Sequence, residues 1–179
     1  MAVTLEQISK WMDLEEFKHD LSDERIVSMS SDEDSKLAHI LRAPENGEMF
    51  KWTVQLLDDN SDMIDIKEHK YAGKVISHML YLNYTTKFGT WEFDPSDGDM
   101  RLCVEIPLED ALMTQKQFKR IYGYMRRDAH NGATEILHIL NNGEIPKTEE
   151  PDAAAMIAKL EAMLATLKDG SSDDSDDVI

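Results

Sequence analysis

The chain has 179 residues, 41% hydrophobic and 31% charged, a composition that buries one globular core and leaves segments over. Asp and Glu number 36 against 19 Lys and Arg, for a formal net charge of -17. A field of that sign repels phosphate backbones and anionic lipid, so neither nucleic acid nor a membrane surface is expected as a partner. The single cysteine, Cys103, excludes an internal disulfide and a multi-cysteine zinc site.

Thr4-Leu5-Glu6-Gln7 fits a capping box, in which a Thr hydroxyl and a Gln side chain each satisfy an orphan N–H. Leu5, Ile8 and Met12 follow at helical spacing, predicting a first helix that fades over Asp13 to Glu16. Short runs at 17–21 and 25–30 flank the turn Ser22-Asp23-Glu24. The run 36–42 fits helix or strand equally. Pro44-Glu45-Asn46-Gly47 is a turn. Beyond it Phe50, Trp52, Val54 and Leu56 alternate with Lys51, Thr53 and Gln55, the pattern of a half-buried strand. A polar loop, 58–62, leads to a helix predicted over 68–84, with Ala72, Val75, Ile76, Met79 and Leu82 or Asn83 as its buried stripe.

The segments 88–93 and 100–106, joined by Asp94-Pro95-Ser96-Asp97-Gly98-Asp99, read as a β-hairpin. Met100, Leu102, Val104 and Ile106 should face inward, and Arg101, Cys103 and Glu105 outward. A second capping box, Thr114-Gln115-Lys116-Gln117, opens the longest helix, over 114–140. Its apolar stripe runs from Phe118 through Ile121, Met125, Ala129 and Ala133 to Leu140, and Asn141-Asn142-Gly143 stops it. Gly123, Asn131 and Gly132 weaken its middle and allow a kink. A linker over 146–151 precedes an amphipathic helix over 152–168. There Ala153, Ile157, Leu160, Leu164 and Leu167 are spaced 4, 3, 4, 3. The acidic end, 169–179, has too little apolar surface to fold and should be disordered. Helices together with antiparallel hairpins imply an α+β fold, an antiparallel sheet packed against helices.

The motif run Trp91-Glu92-Phe93-Asp94-Pro95-Ser96-Asp97-Gly98, Glu105-Ile106-Pro107-Leu108-Glu109-Asp110 and Thr114-Gln115-Lys116-Gln117-Phe118 resembles the YbjN family, above all its cyanobacterial members. The resemblance is specific over Phe88 to Arg120 and looser before it. It implies a type III secretion chaperone-like fold over 1–145, with the 152–168 helix as an extension. It also implies frequent homodimers, a regulatory role in sensory transduction, and no catalytic residues to carry over.

Chemistry-bearing groups do not assemble into a recognised motif. The six histidines lack the i, i+4 pairing of a zinc helix. The loop from Asp94 puts Gly98 at position 5, where a calcium loop needs its Gly at position 6. Cys103 lies mid-strand, and neither a nucleophile elbow nor a P-loop is present. No cofactor is expected. The chain reads as a non-enzymatic, cytoplasmic, protein-binding module, a homodimer with a further protein partner. A Ca²⁺ or small-ligand sensor using the acidic loops is the alternative. The candidate partner-binding residues are Lys116, Lys119, Arg120 and Arg127 of a basic island that also holds Arg126, together with Ile157, Leu160, Leu164 and Leu167.

Overall fold

The computed structural model describes residues 2–31 and 35–146. The linker, final helix and acidic end expected beyond residue 146, with Ile157, Leu160, Leu164 and Leu167, lie outside the described residues. The elements in chain order are α1 (Leu5–Leu14), β1 (Asp20–Leu21), β2 (Ile26–Ser31), β3 (Lys36–Arg42), β4 (Met49–Leu57), α2 (Ala72–Thr85), β5 (Thr90–Phe93), β6 (Met100–Pro107) and α3 (Gln115–Asn142). The strands form one antiparallel sheet of order β1-β2-β3-β4-β6-β5. The fold is α+β, as the alternating and helical periods imply.

Register explains which side is covered. Trp52 stands opposite Leu41 and Val104, and Val54 opposite His39 and Leu102. Trp91 stands opposite Leu102 at the far edge. These side chains share one sheet face, which joins α1, α2 and α3 in a single core. Phe50, Trp52, Leu102, Phe118 and Met125 are fully buried there, each contributing roughly 1.5–3 kcal/mol by removal from water. The other face carries Lys51, Gln55, Arg101 and Glu105 and has no helix over it among the described residues.

Both capping boxes form. Thr4 accepts from the Gln7 N–H while Gln7 accepts from the Thr4 N–H, and Thr114 and Gln117 repeat the arrangement. Gly143, left-handed at φ 71°, closes α3 two residues beyond the expected end. The ambiguous run 36–42 is a strand because β2 and β4 pair with it on both sides.

Among the boundaries that differ from expectation, two have a local cause, and β1 is confined to Asp20–Leu21 of the run 17–21. Helix α2 starts at Ala72, four residues later than predicted. Single turns occupy the preceding residues, with the His69 N–H bonded to the Ile66 carbonyl, and the His69 ring accepts from the Tyr71 N–H. Strand β5 starts at Thr90 because Gly89, at φ 87°, turns the chain and frees Phe88 to stack on Tyr124.

Gly132 has a packing reason rather than a kinking one. A Cβ built there would lie 2.5 Å from the Trp91 ring, so the glycine lets β5 approach α3. Gly123, on the same helix, faces open space. Gly132→Ala should therefore cost about 1–3 kcal/mol through overpacking, despite its better helix propensity. Gly123→Ala should stabilise by up to about 1 kcal/mol. Urea midpoints of the two variants check this, and equal shifts of one sign would contradict it.

Candidate functional site

The polar side chains with catalytic potential are mostly committed to the fold. Cys103 lies on the uncovered sheet face, as expected, yet it is only 5% exposed. Strands β4 and β5 flank it, and the Thr53 hydroxyl lies 3.9 Å from its sulfur. Burial pushes its thiol pKa up, away from the thiolate a nucleophile needs. Arg101 is held beside Glu92 at 2.9 Å and Asp99 at 3.7 Å. Lys51 pairs with Glu105.

The acidic loops bind their own backbone. Asp58 Oδ1 accepts from the N–H groups of Asn60 and Asp62. Asp94 Oδ1 accepts from the Ser96 N–H and hydroxyl, which lowers its pKa. Asp97 accepts from Asp99. Among the described residues, no three His, Cys, Asp or Glu side chains gather as a group able to hold a metal ion.

The histidines are dispersed. His19 bridges the Ser9 hydroxyl and the Phe17 carbonyl. His78 is buried with its Nε2 2.6 Å from Glu135 Oε2. His39 lies between Phe17 and Trp52 in edge contacts, bonded to the Ser30 hydroxyl at 2.9 Å.

The basic island divides. Lys119 reaches back to Glu15 after α1, at 2.8 Å. Arg126 lies over the Phe17 and Tyr122 rings and donates to the Tyr122 hydroxyl. Arg127 lies over Tyr124 and pairs with Asp128 at 2.7 Å. Lys116 and Arg120 remain, exposed and without an ion pair among the described residues. Of the four candidates read from the island, then, the structure leaves Lys116 and Arg120 on one open face and commits Lys119 and Arg127 to intramolecular pairs.

Beside Arg120 runs a groove of about 230 Å³. Met113 and Ile121 form its buried floor, and Phe88 stacked on Tyr124 forms one wall. Ile106 and Leu108, at the end of β6 and just past it, form the other. Sequence reading missed this groove, because its residues come from three separated segments.

A second apolar surface lies on α2. Tyr84 is 89% exposed, Leu80 67% and Tyr81 43%. Gly73, Ser77, Leu80 and Tyr84 recur at 4, 3, 4 on the side opposite the buried Val75, Met79 and Leu82. That second stripe was a signal legible in the sequence. Among the described residues, no helix is long and apolar enough to cross a membrane.

No model of a known family matches the chain, and no curated protein sequence does. Among solved structures it is similar to the crystal structure of YbjN from E. coli, a candidate transcription regulator. The TM-score is 0.54 at 6% identity, over 75% of this chain and 92% of that one. At that identity the likeness shows a shared fold, and it bears out the fold that the motif resemblance implied.

His39 generates a prediction. Its pKa is lowered to about 4, first by burial and then by the Arg126 guanidinium. With the folded value below the ordinary value of about 6.5, the unfolded chain binds the extra proton between these limits. The stability present above pH 6.5 is therefore lost as pH falls toward 4, by about 2 kcal/mol at pH 5. His39→Gln keeps a partner for Ser30 and cannot titrate. The fall in urea midpoint from pH 7 to pH 5 should shrink in the variant by that amount, and equal falls in both proteins would refute the assignment.

Proposed function

We propose that the chain is a non-catalytic protein-binding module of regulatory or chaperone-like kind, working in the cytoplasm as a homodimer that engages a further protein. One observation carries this reading: three large apolar side chains, Leu80, Tyr81 and Tyr84, stand in water on a single face of α2. Exposed apolar surface concentrated on one helix marks an interaction surface. The fold likeness supports the reading, since the E. coli protein is described as a candidate transcription regulator. With a net charge of -17, regulation here would run through protein contacts rather than through direct grip on DNA.

The occupant assigned to the α2 face is a second copy. The 4-3-4 recurrence of Gly73, Ser77, Leu80 and Tyr84 is the spacing of a helix–helix seam. Two copies of α2 crossed antiparallel about a two-fold axis set Tyr84 over Gly73 of the other copy and Leu80 over Ser77, so large meets small at both ends. Among the described residues, nothing packs against Gly73 closely enough to require a glycine: a Cβ there meets no atom within 4 Å. Gly73 lies in the first turn of α2, where glycine still costs up to about 1 kcal/mol relative to alanine, and close approach of a second helix is what it would permit.

Light scattering should give twice the chain mass for the wild type and the chain mass for Tyr84→Asp combined with Leu80→Asp. Gly73→Leu fills the seam at an exposed site while improving helix propensity, so it should also yield monomer with an unchanged or raised melting temperature. A wild type monomeric at high concentration, or a Gly73→Leu protein still dimeric, would refute the self-association.

A further inference from the structure

We propose that the groove between α3 and the end of β6 binds an acidic segment of a partner protein, one large apolar side chain entering the groove while neighbouring carboxylates sit over Lys116 and Arg120. The assignment rests on the protein-binding reading above and names the partner's chemistry.

Size comes first. At about 230 Å³ the groove falls below the roughly 300–1,000 Å³ of pockets that enclose a drug-sized ligand. It holds one or two side chains rather than a whole small molecule. Its floor and walls are apolar, and Leu112, next in sequence to Met113, extends that character outward at 71% exposure. An anchor side chain is the occupant such a shape fits.

Charge selects what flanks the anchor. Most Lys and Arg side chains among the described residues lack an acid partner, so what sets Lys116 and Arg120 apart is position, Arg120 lining the groove and Lys116 one turn before it on α3. Lys119 and Arg127 have theirs. Lys116 and Arg120, one turn apart beside the groove, have none among the described residues, and neither Glu109 nor Asp110 of the preceding loop reaches them. The Gln117 side chain between them is folded back onto the Thr114 N–H and hydroxyl, so it does not compete for the site. The remaining negative charge of the molecule is felt weakly here, because screening at physiological salt acts over about 8 Å. The local cations, not the net charge, then govern a ligand held at contact distance.

Binding is measured by fluorescence anisotropy on the full chain, with a labelled dodecapeptide carrying a central Leu-Phe pair flanked by Asp residues. Two control peptides replace Leu-Phe by Ser-Ser, or Asp by Lys. The acidic, apolar peptide should bind and weaken with added salt, and each control should bind at least about tenfold more weakly. Arg120→Glu with Lys116→Glu, both at exposed positions, should lose about tenfold or more in affinity with an unchanged melting temperature. Leu112→Asp should weaken binding less.

Absence of binding, equal binding of the Ser-Ser control, or tighter binding of a single-stranded oligonucleotide would each overturn the proposal. So would binding that appears only after residues 169–179 are removed, since the occupant would then be the chain's own acidic end. The light-scattering experiment on α2 is independent of all these outcomes. A dimer that fails to bind the peptide defeats this assignment and leaves the protein-binding reading standing.

Discussion

The stack of Trp52 on Phe118 ties the helical layer to the sheet. The two rings, both fully buried, lie 6.2 Å apart and 12° from parallel. Trp52 comes from the strand between β3 and β6, and Phe118 from the first turn of α3. Around this pair Trp11, Phe50 and Tyr122 contact Phe118, and Phe17 and His39 complete the aromatic cluster. Such contacts add about 0.5–1.5 kcal/mol per pair beyond the area they bury. Because the Thr114–Gln117 box sits immediately before Phe118, the residue where α3 begins and the residue by which it docks are set almost together.

That docking places both proposed surfaces. With Phe118 and Met125 held against the sheet, Arg120, Ile121 and Tyr124 line the groove together with Ile106 at the end of β6. Farther along, Gly132 admits Trp91, and Asn83 of α2 bonds both the N–H and the carbonyl of Trp91. Helix α2 is thereby fastened by its inner face, and Leu80, Tyr81 and Tyr84 point outward. Lys74, donating to the Gly143 carbonyl at 2.6 Å, joins the start of α2 to the end of α3.

Within the cluster the polar groups are few and costly. His39 keeps one nitrogen bonded to Ser30, while among the described residues neither its Nδ1 nor Trp52 Nε1 has a hydrogen-bond partner. An unsatisfied buried group costs about 1–3 kcal/mol. Aromatic packing on both sides of His39 offsets that cost and keeps the ring neutral.

Much of this fold was legible in order of chain. Capping boxes, the period-2 alternation around Trp52 and the hairpin at Asp94 to Asp99 are written within a few residues each, and local backbone chemistry acts over that range. The acidic loops read as turns close on their own backbone, Asp58, Asp94 and Asp97 each accepting from N–H groups a few residues on. What tertiary structure alone decided lies between distant segments. It made a strand of 36–42 by pairing it on both sides, and it buried Cys103 under neighbours some 50 residues away in sequence. It sent Lys119 to Glu15 while leaving Arg120 open, and it built one groove from Phe88, Ile106 and Ile121. A sequence specifies side-chain period and caps because these depend on near neighbours; which side chains end in water depends on contacts that exist only once the chain has closed upon itself.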